Sequence, residues 1–278
     1  MEDRVKELVK RIKLTVHRKM NTVFVGEYHS AFKGSGLSFE RVREYQAGDE
    51  VKLIDWNVSA RMNHLYVKEF SEERELSIVF LVDVSASLDF GTSRIKRDVL
   101  HEIVTLLTYM AQSNNDRVMM VLFTDRVERV IMPRKGRKYL LHILGELAGF
   151  EPAGRKTDID GAIEYTRRIL KKRSVVFCIS DFIGNYSATA LRRMAGKHDL
   201  IPVVISDPAE ITMKNFGLVE YIDLETGETM LRDTVPSKRK LPVFNGIDAM
   251  YLSTDTPVEV PVLRFFSRRN RTRLKITG

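Results

Sequence analysis

Cysteine is nearly absent from this chain. Cys178 is the only one in 278 residues, so no internal disulfide can form and thiolate metal sites are excluded. A reducing, intracellular compartment is the expectation. Long apolar runs are missing too: none approaches the ~18 residues that a membrane span requires. The opening Met-Glu-Asp-Arg lacks the charge-then-apolar pattern of a secretory signal, so a cytoplasmic location is expected. Several enzyme motifs begin and then fail. His101-Glu102 opens a zinc-protease pattern, but residue 105 is Thr where a second His is required. Gly149-x4-Gly154-Arg155-Lys156-Thr157 nearly forms a phosphate loop, yet the Lys comes one position late and the run follows an expected helix rather than a strand. No serine sits in a Gly-x-Ser-x-Gly elbow, which leaves an esterase triad without its usual nucleophile.

What is present is ordinary for a soluble globular protein, at 44% hydrophobic and 29% charged residues, and the length allows one large domain or two small ones. The formal charge of +8 is uneven: residues 1–20 carry +4 and residues 235–278 carry +6, leaving −2 for the rest. Basic ends suit nucleic acid, an anionic membrane surface or an acidic protein. The aromatic interleaving of a strand-binding groove is absent, so no specific nucleic-acid partner is expected. In residues 2–20, Val5, Leu8, Val9, Ile12, Val16 and Met20 recur at helical spacing and predict an amphipathic helix docked on the body. Its basic face serves solubility or, alternatively, a peripheral contact with lipid headgroups.

The chain is organised around residues 77–87, Ser-Ile-Val-Phe-Leu-Val-Asp-Val-Ser-Ala-Ser. An apolar run without polar alternation predicts the central strand of a parallel sheet covered on both faces. Asp83, Ser85 and Ser87 follow its carboxyl end, the edge at which such sheets hold ligands, and oxygens of this kind suit a hard dication. Thr157 and Asp181 are expected at the same edge. From Thr157 a helix over 159–172 carries the chain about 21 Å away at ~1.5 Å per residue. The strand over 174–180 returns about 23 Å at ~3.3 Å per residue.

Asp-x-Ser-x-Ser, then Thr157, then Asp181 after a buried strand, resembles the metal-ion-dependent adhesion site of von Willebrand factor A domains. The resemblance implies that Asp83, Ser85, Ser87, Thr157 and Asp181 hold Mg2+ or Mn2+, directly or through water, and that a vacant position takes a partner's carboxylate. Arg155 and Lys156 beside Thr157 would favour that carboxylate further. It also implies an α/β fold with a central, mostly parallel, Rossmann-type sheet flanked by helices.

Residues 21–73 have short β-prone pieces at Thr22–Val25, Val51–Ile54 and Leu65–Val67 between Gly-rich and charged turns. Their signature runs Gly26-Glu27-Tyr28, Phe32-Lys33-Gly34-Ser35-Gly36, Arg43-Glu44-Tyr45-Gln46-Ala47-Gly48-Asp49 and Ile54-Asp55-Trp56-Asn57-Val58-Ser59-Ala60-Arg61. It resembles the bacterial family catalogued as domain of unknown function 58, in which such a module precedes a von Willebrand A-like domain. The resemblance implies a MoxR-type AAA+ ATPase, or the client on which the two act, as partner. The expected division is a helix-plus-β module over 1–73 and the A-like domain with its C-terminal extension over 74–278. Without the family, Arg43, Asp49, Asp55 and Arg61 read as ion pairs around Trp56; exposed, the same patch would be a partner surface.

From Ser77 onward the pattern predicts strands at 77–83, 117–123, 127–132, 174–180 and 199–205 and helices at 94–113, 137–149, 159–172 and 187–196. Strand 127–132 should pair antiparallel at one edge. Residues 218–232 predict two strands, the first adding to the sheet, and a last helix is expected near 258–269; residues 235–256 show no helical period. The rival function is a haloacid-dehalogenase-type phosphohydrolase, which also places a carboxylate nucleophile after a buried strand at a magnesium site. That chemistry wants an acid two residues on, where this chain has Ser85, a poor proton donor. The reading is a non-enzymatic, magnesium-dependent interaction module.

Overall fold

Residues 23–32, 37–72, 76–184, 186–213, 217–234 and 237–277 are described by the computed structural model, so the helix expected over 2–20 lies outside them. The first described element is helix α1 (Val23–Phe32), where Thr22–Val25 had predicted strand. Tertiary packing overrides the local preference of Val23, Phe24 and Val25. Tyr28 and Ala31 are fully buried, and the Tyr28 hydroxyl donates to Asp116 Oδ2 at 3.1 Å while its ring meets Phe266 edge-on at 5.7 Å.

Two compact units divide the chain, Phe32–Glu75 and the remainder. In the smaller, strand β1 (Leu37–Glu44) pairs antiparallel with β2 (Tyr66–Glu72), with a bulge between Phe39 and Arg41. Val51–Ile54, expected as strand, is a 3-10 turn over Val51–Leu53, and only Ile54 bridges to Val67. Helix α2 (Trp56–Met62) is capped by Asp55, whose carboxylate accepts from the Asn57 and Val58 amides at 3.1 and 3.2 Å. Arg43 grips Asp49 through two bonds of 2.8 and 2.7 Å, which with the Gln46 amide pulls the Asp49 carboxyl down to about 2. Trp56 is not enclosed by these charges: it is 63% exposed, and Val51, Met62 and Leu65 are exposed with it.

The larger unit is a six-stranded sheet in the order β12-β7-β6-β3-β4-β5. Its strands are β3 (Ser77–Asp83), β4 (Arg117–Phe123), β5 (Val127–Arg134), β6 (Val175–Ser180), β7 (Asp199–Ser206) and β12 (Met250–Ser253). All neighbours run parallel except β4 and β5. Between them lie helices α3 (Lys96–Ser113), α4 (Arg137–Ala148), α5 (Ile159–Ile169), α6 (Ala188–Lys197) and α7 (Pro208–Ile211), and α8 (Glu259–Thr277) closes the chain. Alternate side chains of β3 serve opposite faces. Val79 and Leu81 join Val176, Cys178, Ile163, Leu191 and Met194 under α5 and α6. On the other face Phe80 meets Phe177 at 5.8 Å, and α3 packs against β4 and β7. Full burial of such apolar side chains is worth about 1.5–3 kcal/mol each, which explains why this strand takes the middle.

Two differences from expectation lie in the C-terminal third. Strands β9 (Gly217–Ile222) and β10 (Thr229–Thr234) form a separate two-stranded hairpin instead of extending the sheet. Leu218, Ile222 and Leu231 on one surface of that hairpin and Met230 on the other face water, so no burial draws it into the sheet. The outer position is taken by β12, which Met250 and Leu252 bury while Tyr251 faces outward. Short strands β8 (Thr212–Met213) and β11 (Ser237–Lys238) pair with each other. Among the described residues no helix is long and apolar enough to cross a membrane.

Candidate metal centre

The chain leaves β3 for β4 on one side and for β6 on the other, so β3 and β6 flank a switch point of the sheet, where the loops diverge and open a crevice. Asp83 ends β3 inside it and is fully buried. Its Oδ1 accepts the Ser85 amide at 2.9 Å and its Oδ2 accepts the Ser180 hydroxyl at 2.7 Å. The loop then turns through a 3-10 segment, Ala86–Asp89, which stacks Ser85 Oγ and Ser87 Oγ 3.1 Å apart. Val84 N donates to the Phe123 carbonyl and Ala86 N to the Arg155 carbonyl, so the loop is tied to both β4 and the segment that carries Thr157.

That segment is held from below. Glu128 Oε1 accepts the Gly154 amide and the Thr124 hydroxyl, each at 2.8 Å, and Asp158 N donates to the Thr124 carbonyl at 2.8 Å. Gly154 is required by space: a Cβ there would lie 2.3 Å from Thr124 Oγ1 and 2.4 Å from Asp125 Oδ1. Asp158 caps α5 through the Gly161 amide, as its place before the helix predicts. The Thr157 hydroxyl is buried and faces the Glu225 carboxyl without closing a normal hydrogen bond. In a folded protein such a group calls for an explanation, and contact with a cation is one of the standard ones.

Asp181 follows β6. Phe182 turns the chain sharply with φ 50°, a left-handed conformation that bulky residues avoid, and its ring is braced 5.0 Å from Phe244. The turn lets Asp181 Oδ1 accept the Ile183 amide at 3.1 Å. Asp181 Oδ2 takes a 2.6 Å bond from Lys96 Nζ, which gives a second 2.6 Å bond to Glu210 Oε1. Lys96 is fully buried at the first position of α3. Glu210 is itself fixed by a capping box with Asp207.

Burial, followed by the Asp181 charge, raises the Asp83 carboxyl to about 6 against the pull of the Ser180 and Ser85 bonds. The Glu225 carboxyl, from the β9–β10 turn, is also raised, by burial and then by Asp223 and Asp181; Lys156 and the Thr157 hydroxyl act in the opposite direction. Asp83, Asp181 and Glu210 set three negative charges against the one of Lys96. Two uncompensated negative charges and oxygens that are all hydroxyl or carboxyl, the Thr157 hydroxyl among them, are a donor set that fits a hard dication. Among the described residues there is no cluster of three or more His, Cys, Asp and Glu that could hold a metal, so a site here depends on hydroxyls.

Sequence reasoning missed Lys96, Ser180, Glu210 and Glu225. Ser180 was within reach of strand register, since Val82 lies opposite Ile179. Glu210 had the signal Asp-Pro-x-Glu of a capping box. Nothing in the pattern marks Lys96 or Glu225. Arg155, expected to greet an incoming carboxylate, instead donates from Nε and Nη2 to the Leu224 carbonyl at 3.1 and 2.7 Å.

The family model described as "Protein of unknown function DUF58" matches residues 41–241. An uncharacterized protein of Mycobacterium tuberculosis strain H37Rv is 30% identical over 282 residues, taking in 95% of this chain and 89% of that one. Among solved structures, an aerotolerance-related membrane protein from Bacteroides fragilis, carrying multiple mutations to serines, is similar over 71% of this chain and 99% of its own. The identity is 14% and the TM-score 0.50, a likeness of fold alone. The SpRpn10 VWA domain is similar over 70% of this chain and 95% of its own, at 7% identity and a TM-score of 0.42.

Proposed function

Because this chain belongs to the DUF58 family, a family of unknown function, we propose its role from the site: a non-enzymatic, magnesium-dependent protein-interaction module. The observation that carries the reading is the buried Thr157 hydroxyl, which closes no normal hydrogen bond, together with the Asp83–Asp181 pair. Asp83, Ser85, Ser87, Thr157 and Asp181 would hold Mg2+ or Mn2+. Bound there, the ion supplies a Lewis-acidic position for a carboxylate of the partner. Ser180 and the Ser85 amide keep Asp83 oriented, and Lys96 keeps Asp181 fixed. The partner is an Asp- or Glu-bearing protein, either a MoxR-type AAA+ ATPase or the client on which the pair acts. The exposed face around Trp56 is the second surface available to it.

Ser85→Ala combined with Ser87→Ala is expected to abolish magnesium-induced thermal stabilisation while the fold persists. An unchanged shift in that variant refutes the ligand assignment. Affinity capture with magnesium and with chelator, using wild type and Asp83→Ala as baits, then tests adhesion. An AAA+ ATPase retained only by wild type with magnesium supports the reading; the same protein retained under all conditions moves the interface to the Trp56 face.

A further inference from the structure

We propose that Glu225, in the turn of the β9–β10 hairpin, is this chain's own carboxylate ligand for the metal centre, and that the hairpin is a detachable cap occupying the place a partner's carboxylate would take. The inference rests on the metal-dependent reading above. Its footing is the way the turn is docked. Arg155, two residues before Thr157, grasps the Leu224 carbonyl with two guanidinium bonds, which delivers the next residue to the crevice. Asp223 shapes that turn, its carboxylate accepting the Glu225 amide at 2.8 Å and the Thr226 amide at 3.2 Å. A glutamate at a hairpin tip ordinarily points into water. Here it is half-buried and lies close to the Thr157 hydroxyl and the Asp181 carboxylate.

Like charges drawn together in this way need a reason. Glu225 faces Asp181 and Thr157 while Lys96 is already committed to Asp181 and Glu210, so the turn gains little by placing a further carboxylate there unless a cation joins it. The hairpin itself is built to leave. It shares no ladder with the six-stranded sheet, and isolated two-stranded hairpins are marginal in water. Leu218, Ile222, Met230 and Leu231 are all more than half exposed, so little apolar surface is re-exposed when it lifts. Metal and hairpin are therefore coupled, each tightening the other by the same factor. A partner carboxylate must displace Glu225 to bind.

The test titrates Mn2+ into the full-length protein, with wild type, Glu225→Gln, Arg155→Ala and Asp83→Ala compared. Water-proton relaxation counts the exchangeable waters on the bound ion, and hydrogen exchange follows residues 217–234 with and without the metal. Glu225→Gln is expected to weaken Mn2+ by about fivefold or more, to add exchangeable water, and to remove metal-induced protection of the hairpin. Arg155→Ala should move the same three readouts in the same direction. If wild type binds Mn2+ and Asp83→Ala does not, while Glu225→Gln matches wild type in affinity, water count and exchange, the capping role is overturned and the metal site stands. If wild type and Asp83→Ala behave alike, the metal site fails and the cap falls with it.

Discussion

Lys96 is the residue on which the crevice depends most. With its ammonium buried between Asp181 and Glu210, Lys96→Met would strand two carboxylates, and losing one member of a buried ion cluster costs about 3–5 kcal/mol. Urea unfolding in chelator should show that loss, and magnesium should restore part of it by supplying charge to Asp181. His101 gives a pH signature of opposite origin. Burial and the neighbouring Arg97 push its imidazole down to about 4 from 6.5. A depressed histidine binds its proton more readily when unfolded, so its contribution is intact above pH 6.5 and is lost as the pH falls towards 4. Thermal melts across that window should decline, and His101→Leu should flatten the decline. His198, buried with both ring nitrogens unpartnered and also depressed by burial, adds to the slope in the same direction. At this scale, Asp83 and Asp181 were legible because each stands where an apolar run stops. Lys96 was not, because a lysine opening an amphipathic helix has the pattern of a solvated one.

Elements differ in how openly the chain announces them. The strands β3, β4, β6 and β7 are dense in Val, Ile, Leu and Phe with no competing period, and their bounds follow the composition closely. Elements fixed by distant partners are obscure. α1 is helical because Tyr28 reaches Asp116 and Phe266, and β12 is a strand because β7 offers it an edge. Neither partner is visible from a local window. α2 can be probed directly. Asp55→Ala removes its cap and should destabilise the Phe32–Glu75 unit by about 1 kcal/mol. Trp56, the single tryptophan, reports on that unit alone, so an unshifted fluorescence transition in the variant would show that the cap is dispensable.

For the whole molecule, the alternation of strands and helices expected from β3 to β7 is the one observed, and Asp83 and Asp181 stand at the carboxyl ends of the adjacent strands β3 and β6. The region matched by the family ends at residue 241, nine residues before β12 begins. Asp207, at the end of β7, accepts from Thr92 and Thr254, and Arg94 donates to the Thr254 and Thr256 carbonyls, so β12 is clasped to the body by side chains that lie inside that region. A chain trimmed to residues 41–241 would keep the proposed ligands yet bare one flank of β7, where Val203, Val204 and Ile205 are now fully buried. An uncovered, flat, apolar edge recruits other strands. The trimmed chain is expected to elute as concentration-dependent aggregates in size-exclusion chromatography, whereas one continued through α8 should not. The stretch that the family model matches is thus shorter than the stretch that shields the edge of the sheet.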